Sequence, residues 1–113
     1  MTALANTADL RGKRVTGMKD ANLGEIFDLY IDLATGAVAF VVVQTHGLLG
    51  VSAKYQPVPW RALRYDPVSG AFHIQADKAR FKAAPSYDRE QLANPAYGWT
   101  DQVSQYFEGM TTT

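Results

Sequence analysis

The chain has no cysteine, which excludes disulfides, thiolate metal centres and a cysteine nucleophile. Histidine is scarce as well: His46 and His73 lie in separate segments, without the spacing that puts two imidazoles on one metal. Charge of neither sign dominates. Eleven Lys and Arg balance eleven Asp and Glu, which argues against a dedicated nucleic-acid binder, whose phosphate contacts need clustered cations. Long apolar runs are also missing. The longest, "AVAFVVV" at residues 37–43, falls far short of the ~20 residues that span a bilayer. The opening "MTALANTADLRGKRV" has no apolar core of a secretory signal. These absences lead to the expectation of a cytoplasmic protein with no transmembrane segment, no metal and no cofactor.

What is present is enough for one small globular domain. The chain has 113 residues, 47% of them hydrophobic, so it can bury a core without covalent staples. Strand signals fill the first two thirds. "KRVTGM" (residues 13–18) reads as a first strand, followed by a polar turn. "EIFDLYID" (25–32) alternates apolar and acidic residues, as a half-buried strand does. "DLATG" (32–36) is a hairpin connection, with Asp32 opening the turn and Gly36 supplying a positive φ. "AVAFVVVQ" (37–44) is apolar on both faces and therefore needs cover on both sides, from a helix, a C-terminal tail or a partner subunit.

The stretch "KYQPVPW" (54–60) carries two prolines one residue apart. Backbone N–H groups alternate in direction along a strand, so Pro57 and Pro59 remove two donors from the same side. The segment can pair on its other side only, which makes it an edge or seam strand. Trp60 then covers one end of the core. "LRYD", "DPVSG" and "AFHIQ" form a second hairpin, with Pro67 and Gly70 in its turn. Beyond it, "DKARFKAAP" (77–85) reads as a short helix capped by Asp77 and stopped before Pro85. "SYDREQLANPAYGW" shows no clear period. "TDQVSQYFEGM" (100–110) spaces Val103, Tyr106 and Phe107 as one helix face, with Thr100 as cap and Gly109 as terminator.

The segment "LGEIFDLYIDLATGAVAFVVVQTHGLLG" followed by "PVPWRALRYDPVSGAFHI" resembles a PRC-barrel domain. The residues that carry the resemblance are Gly24, Asp28, Asp32, Thr35, Gly36, Gly47, Gly50, Val58, Pro59, Trp60 and Leu63. It implies a mainly β fold, a small, strongly bent antiparallel barrel over residues 8–84. Residues 85–113 form an aromatic tail with a short helix, packed on the barrel or on a partner subunit. The family includes the H subunit of purple-bacterial photosynthetic reaction centres and RimM-type ribosome-maturation proteins. This chain shows neither the former's membrane helix nor the latter's preceding β-domain, so it is most similar to free-standing members. The resemblance supplies no catalytic set.

Individual residues support the same choice. Asp28 and Asp32 have the chemistry of an acid–base pair, but Asp32 fits a turn opener and Asp28 a partner for backbone or Arg. Ser52, Ser69 and Ser86 lack any nucleophile context. "GLLG" (47–50) has the spacing of a KH nucleic-acid loop but stands between strands rather than helices. Leu48 and Leu49 at its tip are candidate contact residues. So are Trp60, Arg61, Arg64 and Tyr65, an aromatic and basic group with the composition of an interface hot spot. A further basic group is Arg11, Lys13 and Arg14. The expected function is a non-enzymatic binding or assembly module that self-associates, a dimer being favoured, and docks an unidentified protein partner. The alternative is an RNA- or ribosome-associated factor using the basic and aromatic patches, with nucleic acid possible but not favoured.

Overall fold

The structure, a computed structural model, describes residues 4–45, 54–94 and 97–108. Six strands make one sheet: β1 (Arg14–Thr16), β2 (Asn22–Ile31), β3 (Val38–Thr45), β4 (Lys54–Pro59), β5 (Leu63–Tyr65) and β6 (Phe72–Ile74). Four helices accompany it: α1 (Thr7–Leu10), α2 (Lys78–Lys82), α3 (Arg89–Ala93) and α4 (Trp99–Tyr106). The strand order β4-β3-β2-β1-β6-β5 curls into a half-barrel, so the fold is mainly β and strongly bent. Pairing is antiparallel except between β1 and β6, where Val15 and Thr16 run parallel to Phe72 and His73. Register shifts at Val15/Thr16, Ile26/Asp28 and Tyr30/Ile31 add residues to one strand of a pair, and each bends and twists the sheet locally.

Asp-led turns close both hairpins in the same way. In "DLATGA", the Ala34 N–H donates to Asp32 Oδ1 at 2.9 Å, the Gly36 N–H to Asp32 O at 2.7 Å and the Ala37 N–H to Thr35 Oγ1 at 3.2 Å. In "DPVSGA", Val68 N–H meets Asp66 Oδ1 at 2.9 Å, Gly70 N–H meets Asp66 O at 2.8 Å and Ala71 N–H meets Ser69 Oγ at 3.2 Å. Gly36 and Gly70 hold nearly equal positive φ values of 77° and 75°. The pattern Asp-x-x-(Ser/Thr)-Gly-Ala is thus one turn used twice.

Proline blunting of β4 is confirmed. β4 pairs with β3 alone in the sheet and lies at its end. Its outward side meets one isolated bridge, in which the Tyr87 N–H donates to Tyr55 O at 2.9 Å. Tyr55, Pro57 and Pro59 share that side by alternation, so the two missing donors are those a further strand would need. Val41, Val42 and Val43 are all essentially inaccessible, so β3 is covered on both faces, and the chain's own C-terminal segment supplies part of the cover. Tyr30 and Phe40, paired across β2 and β3, each set a ring 5.1 Å from Trp99. Leu92, Trp99, Val103 and Phe107 belong to the same buried cluster as the strands.

Two helix expectations need correction. Gly98, not Thr100, caps α4, because its left-handed backbone (φ 70°) turns the chain two residues earlier and lets Trp99 enter the core. The segment without clear period contains α3, started by a capping box in which Asp88 and Gln91 satisfy each other's backbone N–H. Asp77 caps α2 as expected. Its C-terminal end is tied to β4 by buried Gln56, whose Nε2 donates to Phe81 O at 2.8 Å and Ala84 O at 3.3 Å.

Glycine requirements differ by site. A Cβ on Gly24 (φ 142°) would fall 2.4 Å from the Gln44 carbonyl oxygen, whereas one on Gly36 meets nothing within 4 Å. Gly36→Ala should therefore cost about 1 kcal/mol for the left-handed backbone, and Gly24→Ala roughly 3 kcal/mol or more because β2 and β3 must separate. Urea unfolding of both variants checks the order. Gln56→Leu should cost about 1–3 kcal/mol, the expected loss for buried carbonyls deprived of a donor, read from the same denaturation midpoint.

Candidate functional site

The site grows out of the bend between β4 and β5. After Pro59 the chain makes one 3-10 turn, Trp60–Ala62, around fully buried Ala62. It leaves that turn as β5, whose only sheet neighbour among the described residues is β6. Tyr65 stands directly opposite Phe72. Phe72 is 3% exposed, and the rings of Tyr65 and Trp60 lean on it from 5.2 Å and 5.9 Å. Trp60 and Tyr65 nevertheless stay 39% and 47% exposed. The two open rings are therefore held in place by a common buried ring, and Trp60 covers the core only in part.

The two arginines of this group part company. Arg61 reaches back, its Nη2 donating to the Ser104 carbonyl of α4 at 3.4 Å. Arg64 lies opposite His73, which in turn lies beside Thr16, so Arg64 faces the side of the sheet away from Tyr65. An open cleft of about 750 Å³ there is lined by Arg14, Thr16, Asp20, Arg64, Asp66 and His73, and Tyr65 also contributes to its lining. Its cations and carboxylates are interleaved, and it gathers no excess of either sign. The Asp66 carboxyl is held below the usual aspartate range, chiefly by the Val68 N–H, then by the Ser69 hydroxyl, with the Ser69 N–H and the Arg64 guanidinium adding to the effect.

The remaining candidates serve local structure or lie elsewhere. Asp28 pairs with Arg11 at 3.3 Å and Asp32 builds its turn, so the two carboxylates are committed to separate tasks. Arg11 is thereby drawn to β2 and away from Arg14, which lines the cleft. Gly24 and Gly36 sit in the close approach and the turn already described, and Pro59 on the blunted edge. His46, Gly47, Leu48, Leu49, Gly50 and Ser52 lie outside the described residues. Among the described residues, no group of three His, Asp or Glu is placed to hold a metal, and no helix is long and apolar enough to cross a membrane. Phe72, on which the two exposed rings rest, was not singled out by sequence reasoning. The available signal was its place two residues after Gly70, where the second hairpin returns.

Compared with known families, residues 5–81 match the PRC-barrel domain. No curated protein gives a significant match to the chain.

The Asp66 turn generates an acid-stability prediction. A carboxyl whose folded pKa is depressed contributes stability that is present above the unfolded value, about 3.9, and is lost as pH falls through the lower folded value. Denaturant midpoints followed from pH 5 downwards (roughly across that range) should therefore fall less steeply in Asp66→Asn than in the parent chain. Equal slopes would mean that the turn contacts do not favour the carboxylate.

Proposed function

The chain belongs to the PRC-barrel domain family, and from that membership we propose that it is a docking module whose contact surface is the Trp60–Tyr65 patch. PRC-barrel domains are generally non-catalytic binding modules that mediate protein interactions. In this reading residues 8–84 are the barrel domain and residues 85–113 its C-terminal tail, whose described part lies against the proline-blunted side. The observation that carries the assignment is the pair of half-open rings fixed on buried Phe72. Aromatic anchors already immobilised lose little freedom on binding, which is why Trp and Tyr dominate interface hot spots. Apolar strand β3 and the aromatic tail suggested self-association as cover. Because the tail lies on the sheet, a heterologous protein partner is the better reading of the patch. RNA binding fits less well, since Arg61 is engaged by Ser104 and Arg64 stands close enough to Asp66 to bear on its charge.

Capture of partners by the tagged chain from its source cells, with and without nuclease and at low and high salt, tests this. One defined protein should remain at high salt and after nuclease, and Trp60→Ala should reduce its recovery by roughly tenfold or more, as for a hot-spot residue. Recovery that disappears with nuclease or salt would point to nucleic acid. Recovery of further copies of the chain alone would point to self-association. Recovery indifferent to Trp60→Ala would remove the patch from the interface.

A further inference from the structure

We propose that the outer edge of β5 is a strand-acceptor site for an extended segment of a protein partner in which acidic residues alternate with apolar ones. The inference rests on the docking reading above and specifies how the partner is held. The sheet has two ends, and they are treated differently. At β4, two prolines remove the outward donors and Tyr87 occupies the Tyr55 carbonyl. β5 contains no proline, and among the described residues no strand adjoins its outer side.

The direction of its backbone groups follows from the hairpin. The Asp66 N–H donates to Ala71 O at 2.9 Å, across the pair. By alternation Arg64 faces β6 and Tyr65 faces outward. The Leu63 N–H is used internally, on Trp60 O. The Leu63 carbonyl and the Tyr65 N–H and carbonyl therefore remain on the outer edge, with no hydrogen-bond partner among the described residues. Such a short row suits the reversible addition of one strand.

Side chains on the two faces define the segment that fits. An added strand would present alternate residues to each face of the sheet. On one face they would meet the fixed rings of Trp60 and Tyr65, which favour apolar or aromatic neighbours. On the other they would meet Arg64, which bears on the Asp66 charge but forms no ion pair within 4 Å among the described residues and would favour a single carboxylate. The same residue disfavours a second copy of this chain. A two-fold antiparallel pairing of β5 with itself, centred on its middle residue, would set Arg64 against Arg64, and like charges directly opposite destabilise a pair.

The probes are two synthetic nine-residue peptides, one alternating valine with glutamate and one alternating valine with lysine, added to the full chain with amide exchange and amide shifts read by NMR. The glutamate peptide should shift the amides of residues 63–66 and slow exchange at the Tyr65 amide by about tenfold, as inclusion in a ladder does. The lysine peptide should do neither, and Arg64→Glu should weaken the glutamate peptide roughly tenfold and admit the lysine one. A dispersed amide spectrum of Arg64→Glu shows that the exposed substitution leaves the fold intact.

Shifts without protection of Tyr65, equal response to both peptides, or no response at residues 63–66 would overturn the proposal. So would Tyr65 protection that rises with protein concentration alone, which would mean pairing between copies. Partner capture that depends on Trp60 while neither peptide protects Tyr65 would leave the docking reading standing and strand addition refuted. Protection by the glutamate peptide with capture indifferent to Trp60→Ala would give the opposite result.

Discussion

Two prolines on one side of β4 constrain the rest of the molecule. Without the outward donors of residues 57 and 59, β4 can be zipped only to β3, and the sheet must end there. The chain then bends at Trp60–Ala62 and offers its next residues to β6 at the far end of the same sheet. One continuous segment thus supplies both end strands of the half-barrel. What lies beyond β4 cannot be a strand, so it is the C-terminal tail, attached by one backbone bridge, by side-chain hydrogen bonds from Tyr30 to Leu92 O and from Arg61 to Ser104 O, and by packing of Trp99 and Leu92 with the rings of β2 and β3. The Trp60–Tyr65 patch exists because the bend delivers both residues to Phe72.

The tail takes the place of a further strand by apolar contact and a few side-chain hydrogen bonds. The Trp99 indole N–H and the Tyr30 hydroxyl both donate to the Leu92 carbonyl, at 3.1 Å and 3.4 Å, so the end of α3 is satisfied by groups that also build the core. Arg89 lies 5.4 Å over the Phe27 ring, closing the outer margin of the same surface. This arrangement supplies cover for the second face of β3 from within one chain. It is the reason the strand's doubly apolar pattern does not by itself require a partner.

Legibility in the sequence followed the range of each interaction. The turns at Asp32 and Asp66 were readable because every contact in them lies within a few residues. Pro57 and Pro59 were readable because a missing N–H is a property of the residue itself. The parallel pairing of β1 with β6 was not, since Val15 and Phe72 are joined by nothing local. α3 escaped although Asp88 and Gln91 carry a capping-box signature, because only Leu92 of its short run is buried and no period could form. At the site, the composition around Trp60 was visible but its sorting was not. A 3-10 turn breaks strand alternation, and so Arg61 and Arg64 depart in directions that spacing alone does not give. The dependence of both rings on Phe72 required the register of the second hairpin.

Amide hydrogen exchange on the free chain measures the difference between the two ends of the sheet directly. The account predicts slow exchange at Gln56 and Val58, which face β3, and at Tyr87, whose N–H is held by Tyr55, with fast exchange at Tyr65 on the open edge. A Tyr87 amide exchanging as fast as Tyr65, or a Tyr65 amide protected in the free chain, would contradict it.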